Sequence, residues 1–294
     1  MPKKGTHGLD MMQGTATAQV NLDYVSEKDM IVKFRTALKL QPLTTALFAN
    51  SPFDPRGITP YQSKRSFYWA HTDPDRCGLI SEVFEDSFSF EQYIDFALDV
   101  PMYFVYRGDN YLDARGQSFR DFIKGKLPAF PDELPTFQDW SDHLTTIFTE
   151  VRLKTFLEMR GADGGNQDHV LALSALWTGI LYDASALAFC EDLTKSWTFE
   201  DVHTLLLDCA KDGFDATIKG QSVRDLTRQI VSQAQAGLKR RKFLNEKGQD
   251  ESIYLDYLFE RLEKGTQATL WKKAFFDTFQ QDINTLLRSA AKTL

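Results

Sequence analysis

Between Val151 and Arg160 the sequence sets charged groups at alternate positions: Arg152, Lys154, Glu158 and Arg160, with Phe156 between them. Read as a strand, this alternation gathers all five on one face and leaves Leu153, Thr155, Leu157 and Met159 on the other. Arginine presents planar, paired donors that match phosphate oxygens. A carboxylate on the same face can hold a Mg²⁺ ion that bridges those oxygens. The pattern therefore suits a phosphorylated ligand, although a solvated face of cross-strand ion pairs would use the same residue types.

Gly161-Ala162-Asp163-Gly164-Gly165 follows at once. Three glycines in five residues permit left-handed backbone or close approach to a ligand, and equally a tight exit from a strand. A second polar face lies near the start. From Thr15 to Tyr24 the chain alternates, with Thr15, Thr17, Gln19, Asn21 and Asp23 on one side and Ala16, Ala18, Val20, Leu22 and Tyr24 on the other. An edge strand with one wet face would read the same way.

The elements that must carry these faces can be read from capping and period. The first twelve residues show no period and are expected to be loop. Ser26 is a good N-cap, followed by Glu27 and Asp29 and an apolar stripe at Ile31, Phe34, Leu38 and Leu40. That helix should stop near Pro42, with a short buried helix over 43–49 and a loop over 51–62. Gly108-Asp109 between two short runs predicts a hairpin over 102–113. Helices are expected at 118–124 and 137–147. Beyond His169 the pattern predicts helices at 169–182, 199–211, 222–242, 252–264 and 268–291. Strands first and helices later favour an α+β class over a parallel α/β one. The chain is expected to be one domain over 1–294, with a sheet-bearing part over 1–165 and a helical part over 166–294.

Composition narrows the function classes. The 294 residues are 43% hydrophobic and 26% charged, with a net charge of −7. That balance argues against a general nucleic-acid surface. The basic run Lys239-Arg240-Arg241-Lys242 reads as a helix C-terminus complementing the dipole, the alternative being a polyanion patch. No window has the apolar length of a membrane span. Cys77, Cys190 and Cys209 form no CxxC pair, so neither a disulfide framework nor a cysteine zinc site is expected. Neither a GxGxxG nor a Walker motif is present. A cytoplasmic location is expected, or a plastid one for a plant-like source.

Several longer segments resemble, in order, glutamate–cysteine ligases of the plant and proteobacterial type. They are Met1-Pro2-Lys3 to Asp10-Met11-Met12, Gln19-Val20-Asn21-Leu22-Asp23, Leu47-Phe48-Ala49-Asn50-Ser51-Pro52-Phe53 and Ala97-Leu98-Asp99-Val100-Pro101-Met102-Tyr103-Phe104. The match is densest at Glu150-Val151-Arg152-Leu153-Lys154 and at Leu157-Glu158-Met159-Arg160 running into the glycine turn. It extends from residue 1 to about residue 245.

The resemblance implies a glutamine-synthetase-like carboxylate–amine ligase fold, with an antiparallel sheet whose polar face holds Mg²⁺, ATP and glutamate. It also implies a reaction in which ATP phosphorylates the γ-carboxylate of glutamate and the cysteine amine then displaces phosphate. Carried over by residue, Arg65 would grip a carboxylate of glutamate, and Trp69 and Tyr103 would line the substrate pocket. Glu158 would bind metal, and Arg152 and Arg160 would contact phosphate. Gln19 and Asn21 would sit on the face that looks into the site.

The family also carries upstream carboxylate strands (Thr-Glu-His-Glu and Glu-Pro-Gly-Gly types), which implies a missing N-terminal segment or a homo-oligomeric partner. Locally, Gln13-Gly14 stands where the family's second residue is usually Arg. Thr149 stands where it has Pro, and Asn166-Gln167-Asp168 where it continues Pro-Trp-Arg-Arg. A non-catalytic relative, or a γ-glutamyl ligase for another amine, would share most of these residues.

Overall fold

The computed structural model describes residues 5–291; the part of the matched segment at Met1 to Lys3 lies outside them. The chain opens with helix α1 (Gly8–Gly14), where loop was expected. Strand β1 (Thr17–Leu22) follows with strict alternation: Thr17, Gln19 and Asn21 exposed, Ala18, Val20 and Leu22 buried.

Helix α2 (Glu27–Leu47) starts as its cap dictates. Ser26 Oγ accepts from Asp29 N at 3.2 Å, and Asp29 in turn accepts from Val25 N at 2.9 Å. It does not stop at Pro42, which sits inside it. Every residue from Thr36 to Leu47 is buried, and α2 packs against the central sheet and against helices from the later part of the chain. Packing around the whole circumference outweighs the one backbone hydrogen bond that proline removes. The expected second helix over 43–49 is the end of this one.

Helices α3 (Lys64–Ala70), α4 (Phe90–Asp99), α5 (Phe119–Ile123) and α6 (Phe137–Thr145) come next. The expected hairpin pairs Phe104–Arg107 with Asn110–Asp113 around Gly108, whose φ of +56° suits glycine. The run from Val151 to Arg160 is not one strand. It folds into a hairpin of β2 (Val151–Leu153) and β3 (Leu157–Asp163), turning at Lys154–Phe156. The central antiparallel sheet has the order β1-β3-β2.

The later part is helical: α7 (Gln167–Leu181), α8 (Ala184–Leu193), α9 (Phe199–Asp212), α10 (Val223–Arg241), α11 (Asp256–Lys264), α12 (Gln267–Asp277) and α13 (Ile283–Ala290). The sequence pattern missed α8, and the helix expected over 268–291 breaks at Gln280 and Gln281, both left-handed. Helix α10 ends in the basic run as expected, with Lys242 in the left-handed cap position. The three cysteines are unpaired. Among the described residues no single helix is long and apolar enough to cross a membrane.

The main core runs from Ala18 to Leu262 and takes side chains from β1, α2, the β2–β3 hairpin and helices α7, α9, α10 and α11. The two parts of the chain thus share one apolar interior beneath the sheet. The observed class is mixed α+β with small, mostly antiparallel sheets.

Candidate functional site

The hairpin places Arg152 directly opposite Glu158, and Glu158 directly opposite Asn21, so the three form one row across the sheet. Arg152 Nε donates to Glu158 Oε2 at 2.5 Å. Its Nη1 donates to the carbonyls of Thr145 at 3.1 Å and Ile147 at 3.0 Å. Arg152 is therefore buried and fixed, and its reach is spent on the protein. Glu158 also accepts from Arg160 Nη1 at 3.4 Å and pairs with Lys154 Nζ at 3.3 Å. Burial pushes the Glu158 carboxyl up, but the Arg152 hydrogen bond and the three cations outweigh it and hold the group below its ordinary value.

Arg160 sits at an irregularity. Ala18 pairs with Ala162 and Val20 with Met159, so Gln19 alone faces both Arg160 and Gly161. This bulge brings Arg160 Nη1 to Gln19 Oε1 at 3.2 Å. It also turns two carbonyls toward helix α3. Arg65 takes them, with Nη2 donating to Arg160 O at 2.7 Å and Nη1 to Gly161 O at 3.2 Å.

Asp163 sets the position of that arginine. Ser63, the N-cap of α3, donates to Asp163 Oδ1 at 2.7 Å, while Ser51 Oγ and Asn50 N each donate to Oδ2 at 2.7 Å. A buried carboxylate at the end of β3 thus ties down the start of the helix that carries Arg65. Burial pushes its carboxyl up, opposed by Arg65 and these donors.

Under Arg65 lies a small cleft lined by Arg65, Trp69, Phe148, Thr149, Glu150 and Arg160. Arg65 Nε and Trp69 Nε1 are buried there without a hydrogen-bond partner. Two donors of the cleft therefore lack an acceptor within the protein. Glu150 is the residue that sequence reasoning missed. Its signal was its place at the head of the densest matched segment, but nothing in its spacing marked it.

The structure thus brings together Arg152, Glu158, Arg160, Gln19 and Asn21 on one sheet face, with Arg65 and Trp69 at its edge. Tyr103 is not among the residues lining the cleft. Its hydroxyl donates to Asp73 Oδ2 at 2.5 Å, and the Arg76 guanidinium lies 3.5 Å above its ring. Burial and Asp73 raise the phenol from its ordinary value.

Phosphate oxygens fit the outer part of this face, where Lys154 and Arg160 keep partly accessible donors. A magnesium ion fits less well. The described residues include no cluster of three His, Cys, Asp or Glu groups that could hold a metal, and the carboxylate of Glu158 is already surrounded by three cations.

A family model described as glutamate–cysteine ligase family 2 matches residues 1–289. The chain is similar to chloroplastic glutamate–cysteine ligase B of Oryza sativa subsp. japonica, 54% identical over 243 residues, covering 83% of this chain and 49% of that protein. It is 48% identical over 285 residues to the chloroplastic ligase of Medicago truncatula, covering 97% of this chain and 55% of that one. The corresponding Arabidopsis thaliana protein is 51% identical over 243 residues, covering 83% and 47%. The chain spans about half the length of the curated relatives it matches.

Proposed function

The chain belongs to glutamate–cysteine ligase family 2, and from that membership we propose that it takes part in the ATP-dependent ligation of L-glutamate to L-cysteine. In this reading, the γ-carboxylate of glutamate attacks the terminal phosphorus of ATP and ADP leaves. The cysteine amine then attacks the carbonyl of γ-glutamyl phosphate, inorganic phosphate departs, and γ-glutamylcysteine is formed as the first step of glutathione synthesis.

The observation that carries the proposal is the sheet face on which Glu158 is fixed between Arg152 and Arg160, with the unpartnered donors of Arg65 and Trp69 beside it. Joining a carboxylate to a triphosphate brings like charges together, and positioned cations lower that cost. Arg160 and Lys154 face the space where phosphate oxygens would lie. Arg65 and Trp69 would hold a carboxylate of glutamate. Arg152 acts as a positioning residue that keeps Glu158, and through it Arg160, in place. A glutamine-synthetase-like arrangement of the sheet is part of the same proposal.

Magnesium enters only as a partner of ATP. Glu158 is the candidate ligand from this chain, and it would have to exchange a cation for the metal, so no step here runs through the ion. The relatives' names carry the word chloroplastic, which supports the plastid location over the cytoplasmic one.

Phosphate release from ATP, measured with glutamate and cysteine each present or omitted, tests the reading. Release that needs glutamate and rises with cysteine supports it, and Arg160→Ala should then lower it roughly a hundredfold. Replacing cysteine with other amines separates this ligase from one with a different acceptor. Release indifferent to both amino acids, or no release together with no glutamate binding, overturns the proposal.

A further inference from the structure

Glu150 has no role in the chemistry above, yet it is placed where a role is hard to avoid. It is buried, at 6% exposure, and it lines the same cleft as Arg65, Trp69 and Arg160. No side-chain hydrogen bond engages its carboxylate among the described residues. Behind it Gln41, wholly buried on α2, has neither its amide nitrogen nor its oxygen partnered. The two side chains converge on Gly161. A methyl group at that position would lie 2.1 Å from Gln41 Oε1 and 2.7 Å from Glu150 Oε2, so any larger residue would force both side chains to shift.

The cleft therefore has two unsatisfied sides. Arg65 Nε and Trp69 Nε1 lack an acceptor, and the Glu150 carboxylate on the facing side is free to accept from a donor. A simple anion would satisfy the first side and be repelled by the second. A zwitterion satisfies both. The cleft is partly open and has ≈ 10 Å³ of room, enough for one water-sized group such as an ammonium head. Burial drives the Glu150 carboxyl up from its ordinary value despite Arg65 and Arg160, so a bound cation would supply the counter-charge that its surroundings withhold.

We propose that Glu150 receives the α-ammonium group of the amino acid whose carboxylate meets Arg65 and Trp69. The inference rests on the ligase reading, since it concerns the same cleft. It makes Glu150 the residue that separates an α-amino acid from a plain dicarboxylate. Gln41 acts behind it as a positioning residue.

Equilibrium binding of glutamate and of glutaric acid, which lacks only the amino group, tests this on the chain and on Glu150→Gln. The chain should prefer glutamate by roughly tenfold to a hundredfold, the range for a charge-assisted hydrogen bond, and Glu150→Gln should bind the two alike. Equal affinities in the parent chain would overturn the proposal, as they would if a water bridged Glu150 in place of an ammonium. A preference that survives in Glu150→Gln would overturn it and leave the ligase reading intact. If the parent binds neither acid, the ligase reading fails and this inference with it. Should Glu150→Gln not fold, Glu150→Asp, which sets the charge one methylene back, must show a reduced preference; an unchanged one overturns the proposal.

Discussion

Arg152 and Glu158 face each other directly across the β2–β3 hairpin, and the guanidinium of the first is anchored on two carbonyls while its Nε holds the carboxylate of the second. The pair is nearly closed to solvent, with side-chain exposures of 10% and 3%. Lys154 and Arg160 approach the same carboxylate from the outer side. One negative charge thus organises three positive ones, which makes it the electrostatic centre of the sheet face.

Glu158→Gln should destabilise the fold by about 3 kcal/mol, since it leaves three cations facing one another around a neutral amide. Chemical denaturation at neutral pH measures the loss. Because the folded carboxyl titrates below its ordinary value, its stabilisation is present above the unfolded pKa and fades as pH falls through the lower, folded one. The difference between parent and variant should therefore shrink at acid pH. A constant difference would show that packing, not charge, was lost.

Glu150→Gln should behave in the opposite sense. Its folded carboxyl titrates above the ordinary value, burial being the main cause. Its contribution is fully present below the unfolded pKa and is lost as pH rises through the folded one. The variant should melt at or above the parent's temperature at pH 8 and lose that advantage near pH 4. A lower melting temperature at pH 8 would contradict this.

Gly161→Ala should cost about 1–3 kcal/mol through overpacking against Gln41 and Glu150. Gln41→Ala introduced alongside should restore part of that loss, because it removes the nearer of the two colliding side chains. Urea unfolding of the single and double variants gives the coupling. Strict additivity would place the strain elsewhere.

Two histidines should make the fold acid-labile before its carboxylates do. His143 Nε2–H donates to Ala97 O, and His169 Nε2–H to Asp163 O, both within the core. Burial lowers each to about 4. The unfolded chain takes up protons near 6.5 and the folded one does not, so stability should fall from about pH 6.5 toward pH 4, by about 3 kcal/mol for each residue. Denaturation midpoints at pH 7 and pH 5 check this, and His143→Gln should reduce the difference between them.

The sheet face was legible in the sequence even though its shape was not. Positions 152 and 158 differ by an even number, so a three-residue turn preserves the two-residue period, and a hairpin and a single strand group the same side chains. The turn residues Lys154, Thr155 and Phe156 carry no glycine or proline signal to mark the reversal. The burial pattern of β1 followed its alternation in the same way. The cap at Ser26 fixed a helix start because a side chain and its own backbone decide it locally.

What local pattern determined is which residues share a face and where helices begin; what the tertiary structure decided is everything that rests on a partner far along the chain. Helix α2 runs through Pro42 because other elements enclose it, a condition that no window around residue 42 contains. Asp163 reaches back 100 residues to Ser63, and Arg65 reaches forward 95 residues to the carbonyl of Arg160. Those two contacts create the cleft in which Arg65, Trp69 and Glu150 meet. Periodicity records how each side chain is presented to its surroundings, whereas a buried polar cluster exists only once long-range packing has removed water from it.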